Sequence, residues 1–460
     1  MTGAPDAGPR ALLVEGAAEV VTMAGGIRSG SGQADARVLR DERAAAGAES
    51  GALASDHRGA HGLAVGAVDG RIVGVGRPDA VVGALAALGV DVSDPARTLR
   101  LDAAGGTVTP GLIDPHTHLV FAGSREREIE MRRAGATYLE ILAAGGGILS
   151  TVAATRRASV DQLVAAGRRW LGEMLRHGAT TVEAKSGYGL ARDAELRQLE
   201  AIGRLDAEGP IELVPTFLGA HAVPGELRGR TDAVDAYVTD VVEVQLPAVA
   251  EQGIARYCDV FCEQGVFDAA QSRRVLEAGR RYGLAPRLHA DELAPSGGAE
   301  LAAEIGAVAA DHLGVPSPAG IDALAAAAAR GTPVIGTLLP ATSLFLKGGS
   351  YGPARELIDR GVPLALGTDF NPGTSPTPNL QLVLSLAVLR MGLTAAEVLA
   401  AVTINAAHAV GLGDSHGALE PGRQADLVIW DVPTHEQVPY WLGADLVRTV
   451  IKRGRVVLGA

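Results

Sequence analysis

Cysteine, lysine and aromatic residues are scarce in this chain of 460 residues. Cysteine occurs only at Cys258 and Cys262. If their segment is a β-strand, four steps of about 3.3 Å place them about 13 Å apart, too far for a disulfide. The sequence therefore predicts a protein that keeps its thiols reduced, and we expect it in the cytoplasm.

The sequence also lacks a long apolar run and an excess of basic residues. No stretch approaches the roughly 20 apolar residues of a membrane-spanning helix, and no basic segment followed by a long apolar core begins the chain. The net charge of −12 argues against nucleic acid or an anionic membrane as a partner, because both attract basic surfaces. Hydrophobic residues still make up 47% of the chain, which is enough for a large core.

From Thr109 to about Gly411, short apolar segments alternate with amphipathic helical segments. Several of the apolar segments are continuous, as expected of parallel strands that are covered on both faces. Capping boxes at Ser159 and Thr394 mark the start of two helices. The predicted strands are Gly111–Asp114, Thr180–Ala184, Glu212–Leu218, Cys258–Cys262, Pro286–His289, Ala307–Ala310, Pro333–Gly336 and Pro363–Gly367.

Eight strand–helix units in about 300 residues predict a (β/α)8 barrel of the TIM type. A doubly wound sheet is the alternative, but no Gly-x-Gly-x-x-Gly turn follows the first strand. Both flanks are rich in β-strand patterns, and we expect them to form one small β-sandwich beside the barrel. The predicted division is residues 1–108 and 412–460 for the sandwich and 109–411 for the catalytic barrel.

The sandwich flanks contain two distinctive segments. A hairpin is predicted around Arg453 and Gly454. Residues 24–61 are polar and aperiodic, which predicts a flexible insertion between two sandwich strands. Within it, His57 and His61 are interpreted as surface residues rather than metal ligands.

A His-x-His motif at the end of the first barrel strand is the most informative feature. In extended chain, His116 and His118 point to the same side, so both imidazoles can face one cation. His289 and Asp369 follow later apolar runs, at the strand ends where barrel active sites lie. Three imidazoles and one carboxylate predict one divalent metal, Zn²⁺ or Fe²⁺, that activates a water molecule, with Asp369 as the proton acceptor.

Other polar residues are expected at the same barrel rim. His221 and His312 end the third and sixth strands, and Glu292 follows His289 by three residues. Each of these side chains is expected to act on the substrate or beside it. Alone, a histidine would more often be an ordinary buried residue, so the prediction depends on the shared position at the rim.

Two residues near the rim suggest an anionic substrate. Arg125 offers a two-pronged clamp for a carboxylate, although a surface ion pair with Glu126 or Glu128 is the alternative. After the second strand, Ser186–Gly189 is expected to be a flexible loop that brings the hydroxyl of Tyr188 near the barrel mouth.

Four motifs resemble those of the amidohydrolase superfamily, and in particular its imidazolonepropionase family, from about residue 105 to the C-terminus. They are Asp114–Arg125, Glu183–Leu190, His289–Glu292 and Gly367–Thr374. The longer insertion at 24–61 departs from the family pattern. By resemblance, the metal ligands are His116, His118, His289 and Asp369, and the substrate contacts are Arg125, Tyr138, Tyr188, His221, Glu292, Asn371, Gly373 and Thr374, with His312 close to the reacting atoms.

The resemblance implies a hydrolase of histidine degradation that acts on a cyclic amide C–N bond. A metal-activated water would attack the ring carbonyl of 4-imidazolone-5-propanoate and yield N-formimidoyl-L-glutamate. Asp369 would take the proton of the water, His312 would help to stabilise the oxyanion, and Glu292 would hold or protonate a ring nitrogen. The expected partners are an anionic small molecule and a second copy of the chain in a homodimer. The propionate tail would contact Arg125, Tyr138 and Tyr188.

Three alternatives remain open at this point. A deaminase of a purine or related heterocycle would use the same ligands and release ammonia. A hydrolase with two metals is less favoured, because such sites often use a carboxylated lysine after the fourth strand, whereas Lys185 follows the second. A barrel that binds a ligand without catalysis is the third alternative, although no expected metal ligand is missing.

Overall fold

The computed structural model describes residues 10–41, 62–135, 146–346 and 350–459. Its centre is an eight-stranded parallel sheet in which every strand pairs with the next strand in the chain. This confirms the predicted barrel, with strand boundaries that differ from the predicted ones by at most two residues. The barrel strands are β8 (Leu112–Asp114), β9 (Ala179–Lys185), β10 (Glu212–Ala220), β11 (Tyr257–Cys262), β12 (Ala285–Ala290), β13 (Ala309–His312), β14 (Ile335–Leu338) and β15 (Leu364–Leu366).

The barrel closes just beyond its first and last strands. The amide of Asp369 donates to the carbonyl of His116 at 3.0 Å, and the amide of His118 donates to the carbonyl of Phe370 at 2.9 Å. These two bonds join the segment after β8 to the segment after β15. The His-x-His motif and Asp369 are therefore held together by backbone at the carboxyl end of the barrel.

Helices connect the barrel strands and cover their outer face. The predicted capping boxes are present, with Ser159 paired to Gln162 and Thr394 paired to Glu397. The helices are α1 (Pro78–Ala87, beside the sandwich), α2 (Glu126–Arg133), α3 (Ile148–Arg157), α4 (Val160–Arg176), α5 (Arg192–Glu208), α6 (Ala233–Asp240), α7 (Leu246–Gln252), α8 (Ala269–Arg281), α9 (Gly298–Ile305), α10 (Pro318–Ala329), α11 (Pro340–Phe345), α12 (Ala354–Asp359), α13 (Leu380–Met391), α14 (Ala395–Ala401), α15 (Ile404–Ala409) and α16 (Gln437–Tyr440). Among the described residues, no helix is both long enough and apolar enough to cross a membrane.

Both ends of the chain build the second layer of the molecule, as two sheets with strand orders β5-β4-β1-β6 and β18-β17-β16-β7-β2-β3. Leu12 and Val65 of the first sheet share one buried cluster with Ile429 and Ile451 of the second. The predicted hairpin turns at Arg453 and Gly454, which both have positive φ. The strands are β1 (Ala11–Ala17), β2 (Glu19–Val21), β3 (Val38–Arg40), β4 (Leu63–Val68), β5 (Arg71–Gly76), β6 (Thr98–Asp102), β7 (Thr107–Pro110), β16 (Leu427–Trp430), β17 (Val447–Lys452) and β18 (Arg455–Leu458).

The expected flexible insertion is wrong for residues 24–41. This part forms a 3-10 helix at Gly30–Ala34 and the strand β3, which pairs with β2. Gln33 is fully buried, and its side-chain oxygen accepts a hydrogen bond from the amide of Leu364 at 3.0 Å. Polar composition misled the prediction because one polar side chain, Gln33, binds the barrel rather than water, while most of the other polar side chains of the segment are exposed. His57 and His61 lie outside the described residues.

A cluster of charged side chains, partly buried, joins the sandwich to the start of β10. The Glu212 carboxylate lies 3.2 Å from Lys452 Nζ, 2.9 Å from Arg453 Nη2 and 3.2 Å from His416 Nε2. Burial raises the pKa of Glu212, but the hydrogen bond from His416 and the charge of Lys452 outweigh it and hold this pKa well below its usual range. The carboxylate therefore stays ionised where barrel and sandwich meet.

Candidate active site

The four predicted metal ligands converge at the carboxyl end of the barrel. Asp369 Oδ1 lies 3.5 Å from His116 Nε2 and 3.3 Å from His118 Nε2, while His289 Nε2 lies 3.3 Å from His118 Nε2. All four side chains are buried. Ring nitrogens of His116, His118 and His289 form one group whose atoms lie within 4.8 Å of one another, which suits a shared cation.

Electrostatics at this point favour a positive charge. His116 Nε2, His312 Nε2 and Asp369 Oδ1 are buried and have no hydrogen-bond partner within the described residues. Burial and the charge of Lys185 lower the pKa of His116, but the negative charge and hydrogen bond of Asp311 raise it overall to about 9. The donor set of imidazoles and a carboxylate therefore fits a divalent metal, which would replace the proton on this ring.

Carboxylates behind the ring nitrogens orient two of the histidines. Asp311 Oδ2 lies 2.8 Å from His116 Nδ1, and Asp259 Oδ1 lies 3.1 Å from His289 Nδ1. A carboxylate accepting from Nδ1–H leaves Nε2 with its lone pair toward the metal position. Neither aspartate was predicted from the sequence to have a role. The signal was available, since each is a charged residue inside an otherwise apolar strand.

Lys185 connects these two aspartates. It is the last residue of β9 rather than a residue beyond that strand, which corrects the placement expected from the sequence. Its fully buried Nζ lies 2.8 Å from Asp259 Oδ2, 2.9 Å from Glu183 Oε1 and 3.8 Å from Asp311 Oδ2. Glu183 and Lys185 share one side of β9 because they are two residues apart. The lysine thus supports the ligand set.

A second buried cation, Arg287, also contacts Asp311. Arg287 Nη2 lies 3.0 Å from Asp311 Oδ2 and donates to the carbonyl of Pro115 at 2.8 Å. The guanidinium is fully buried between β12 and the segment that carries the His-x-His motif. It was also missed in the sequence, where Arg287 precedes His289 in an apolar run.

Asp369 is fixed in a conformation that ordinary residues rarely adopt. Its φ is +51°, in the left-handed region. The hydroxyl of Thr342 donates to Oδ2 at 2.6 Å, which leaves Oδ1 directed at the histidines. Burial raises the pKa of Asp369, but the ring nitrogens of His116 and His118 beside its Oδ1 hold it well below its usual value. The carboxylate is therefore an ionised acceptor.

Unlike the ionised Asp369, the side chains of Glu292, His312 and His221 are uncharged at neutral pH. Burial, with the charge of Asp369, raises the pKa of Glu292 to about 8. Its Oε2 faces His312 Nδ1 at 3.8 Å. Burial lowers the pKa values of both His312 and His221 well below the usual value, so these rings are neutral. The site thus combines an ionised carboxylate with a protonated carboxylic acid at neutral pH.

Arg125 forms an ion pair with Glu128, which was the predicted alternative to binding a substrate carboxylate. Its Nε and Nη2 donate to the two carboxylate oxygens at 2.8 and 2.9 Å. Gly373 lies against Nη1, where an added Cβ would collide. Asn371 accepts the amide of Gly373 at 2.8 Å and so shapes this loop. Arg125 also lines a cavity of about 730 Å³ whose wall includes Trp170.

The other expected substrate contacts have different surroundings. Thr374 hydrogen-bonds Asn371 within the same loop. The rings of His221 and His118 stack at 4.9 Å. Tyr138 lies outside the described residues. Tyr188 is buried, and all the amides of its loop are hydrogen-bonded, so the expectation of a flexible loop at Ser186–Gly189 is wrong.

Solved structures share this fold at low sequence identity. A zinc-bound adenosine deaminase from Xanthomonas campestris matches with a TM-score of 0.65 and 21% identity, covering 98% of this chain and 94% of that one. A zinc complex of atrazine chlorohydrolase from Arthrobacter aurescens TC1 matches with a TM-score of 0.64 and 20% identity, covering 97% and 95%. At this identity the two matches support the fold alone.

Sequence relatives are far more similar. The model of the amidohydrolase family matches residues 107–457. An imidazolonepropionase from Geobacillus kaustophilus is 55% identical over 78% of this chain and 82% of its own length. One from Bacillus velezensis is 47% identical over 90% and 93%. The chain belongs to the metal-dependent amidohydrolase family and, within it, to the imidazolonepropionases.

Proposed function

We propose that the chain hydrolyses the ring of 4-imidazolone-5-propanoate to N-formimidoyl-L-glutamate, in the degradation of histidine. The observation that carries this proposal is the pairing of an ionised Asp369 with a protonated Glu292 around the unpartnered nitrogens of His116 and His312. Opening a cyclic amide needs both groups, since one proton leaves water and another must reach the departing nitrogen. Similarity to curated imidazolonepropionases supports the choice of substrate.

We propose that His116, His118, His289 and Asp369 hold one divalent metal, Zn²⁺ or Fe²⁺. Such a metal lowers the pKa of a coordinated water and polarises a carbonyl. Support comes from the buried ligand set and from Asp259 and Asp311, which orient two of the rings through Nδ1. Burial raises the pKa values of Asp259 and Asp311, but neighbouring groups outweigh it. His289 and Lys185 lower the pKa of Asp259, and Arg287 with His116 and Lys185 lowers that of Asp311, so both aspartates stay ionised beside their histidines.

Asp369 and Glu292 would transfer protons, and His312 would stabilise the negative oxygen. Asp369 accepts a proton from the attacking water at Oδ1, while Thr342 holds Oδ2. The ring of His312 is neutral, and its buried Nε2 has no hydrogen-bond partner among the described residues, so we assign it the role of donor to the carbonyl oxygen as that oxygen becomes negative. Glu292 gives its proton to the ring nitrogen as the C–N bond breaks. The proton on Asp369 can later restore the acid.

The anionic tail of the substrate would bind at the edge of the site. Arg125 has donor groups beyond the two that Glu128 uses, and the phenol ring of Tyr188 lies 5.8 Å from the ring of His118. His221, Asn371, Gly373 and Thr374 complete the proposed contacts. Tyr138 is proposed to contact the propionate tail as well.

Two buried, free cysteines support a reducing, cytoplasmic location. The homodimer is likewise part of the proposal, and light scattering tests it.

The test uses freshly generated imidazolonepropionate and follows its ultraviolet absorbance with purified protein. We expect loss of the imidazolone absorbance, formation of formimidoylglutamate without released ammonia, and about one divalent metal per chain by elemental analysis. Dialysis against a chelator should abolish turnover, and added Zn²⁺ or Fe²⁺ should restore it. Ammonia release from a heterocycle would support a deaminase instead, and full activity in metal-free protein would contradict the metal site.

A further inference from the structure

A buried carboxylate of α5 binds three backbone amides of the loop after β9. Glu195 Oε2 accepts the amide of Gly187 at 2.8 Å, and Oε1 accepts the amides of Gly189 and Leu190 at 2.8 and 2.7 Å. The Glu195 side chain is fully buried. A carboxylate that accepts several backbone N–H groups makes stronger hydrogen bonds than a neutral acceptor would, so this loop is fixed at three points.

The remaining amide of the loop is bound by a second side chain of α5. Gln198 Oε1 accepts the amide of Tyr188 at 3.0 Å, and its Nε2 donates to the carbonyl of Val120 at 2.7 Å. Gln198 and Glu195 are three residues apart and therefore lie on one face of the helix. Four consecutive amides of residues 187–190 thus depend on two side chains, and one of these also reaches the segment after the His-x-His motif.

Glycines allow the loop to pack closely against the helix. A Cβ on Gly189 would lie 2.5 Å from the Glu195 amide nitrogen and 2.8 Å from its Oε1. Gly187 has a φ of +105°, a conformation that favours glycine. The chain passes directly over the start of α5, and the carboxylate occupies the space that a side chain would need.

This loop carries two groups to the active site. The ring of Tyr188 lies 5.8 Å from that of His118 and 5.4 Å from that of His221. The carbonyl of Gly187 accepts a hydrogen bond from His221 Nδ1 at 2.9 Å, which leaves His221 Nε2 free to face the substrate. A shift of the loop would therefore move Tyr188 and change the orientation of His221 together.

We propose that Glu195 and Gln198, which do not touch the substrate themselves, are positioning residues that set the affinity for the anionic tail. They act by holding Tyr188 and His221 in the geometry that binds it. This inference rests on the proposed function, because it takes imidazolonepropionate as the ligand of that pocket. Neither residue contacts the metal position, so metal binding should not depend on them.

The test compares Glu195→Gln with Glu200→Gln, a control at an exposed position of the same helix. In Glu195→Gln, the new amide group turns a donor toward one loop amide, so at least one hydrogen bond is lost. We expect KM to rise about tenfold with kcat changed by less than about threefold. Metal content should stay at the wild-type value, and hydrogen–deuterium exchange of residues 187–190 should accelerate. Gln198→Leu should show the same pattern if Glu195→Gln folds poorly.

The outcomes separate this inference from the proposed function. A wild-type KM in both variants, while the wild-type chain turns over the substrate, would overturn the positioning role. Faster exchange of the loop amides with an unchanged KM would also overturn it. Lack of turnover in the metal-loaded wild-type chain would contradict the proposed function, whereas unchanged loop exchange in both variants contradicts the hydrogen-bond account directly.

Discussion

At the residue scale, Glu128 orients the guanidinium of Arg125. An ion pair with Glu128 was the alternative to substrate binding that the sequence left open. Glu128 binds Nε and one edge of the fork, and Gly373 lies against Nη1. An arginine held in this way loses little further conformational entropy when it binds a carboxylate. The ion pair and the proposed substrate contact are therefore compatible.

Arg125→Gln should reduce kcat/KM about ten- to two-hundred-fold, because a hydrogen bond to a charged group contributes roughly 1.5–3 kcal/mol. Most of the loss should appear in KM, since the tail is bound in both the ground state and the transition state. Steady-state kinetics measure it, with Arg127→Gln on the exposed side of α2 as the control. Arg125→Lys should restore activity only in part. Equal slowing of a substrate analogue without the carboxylate would show that Arg125 supports structure instead.

The pKa of Glu292 gives a second prediction at this scale. Burial and the charge of Asp369 raise this pKa to about 8, so the acid is protonated below that pH and lost above it. The value of kcat/KM should therefore fall as the pH rises above this pKa, approaching a tenfold loss per pH unit. A bound cation would lower the pKa of Glu292 and so shift this alkaline limb of the pH profile toward lower pH. In Glu292→Gln the limb should disappear and turnover should drop about a hundredfold or more. An unchanged alkaline limb in that variant would assign the titration to another group.

At the scale of elements, the strands could be predicted well, but the roles of the charged residues within them could not. The continuous apolar runs of β10, β11 and β14 indicated buried parallel strands, because both faces of such strands are covered. Lys185 and Asp259 are charged residues in such strands, and the apolar pattern does not explain why they are there. Their role depends on neighbours in adjacent strands, and residue spacing within one strand carries no information about that pairing.

Loops and insertions were the weakest part of the sequence prediction. Glycines in the loop of Tyr188 suggested flexibility, yet they allow the close packing over Glu195 that fixes it. In the same way, the polar segment 24–41 is attached to the barrel through the buried side chain of Gln33. Local composition describes how a segment would behave in water, whereas these segments are stabilised by distant partners.

The corrected insertion yields a prediction at this scale. Replacing residues 42–61, which connect β3 to β4 on the sandwich, with a short Gly/Ser turn should leave kcat and thermal stability close to wild type. In contrast, Gln33→Ala should lower the free energy of unfolding by about 1–3 kcal/mol, because it leaves the buried amide of Leu364 without its acceptor. Thermal melts and steady-state kinetics distinguish the two. A large loss of kcat in the shortened but folded chain would show that the segment reaches the site.

At the scale of the whole molecule, Glu212 links the stability of the barrel to that of the sandwich. Its pKa in the folded chain lies below the unfolded value. The stabilisation is therefore present above the unfolded pKa and is lost as the pH falls through the folded pKa. Glu212→Gln should lower the free energy of unfolding by about 1–3 kcal/mol at neutral pH, and the difference from wild type should shrink in acid.

Denaturant unfolding at several pH values measures this effect. Glu208→Gln is the matched control, because it breaks an exposed ion pair with Arg168 and should cost less than about 1 kcal/mol. If both variants lose the same small amount at every pH, the Glu212 cluster does not couple the two layers.

The bridging position of Lys185 has a consequence for the charge balance around the ligand set. The buried acidic side chains of Glu183, Asp259, Asp311 and Asp369 outnumber the buried cations Lys185 and Arg287 in this layer. An excess of one sign of charge is costly where solvation is poor. The proposed divalent cation would offset part of this negative charge, so binding it would relieve repulsion that the protein alone leaves in place.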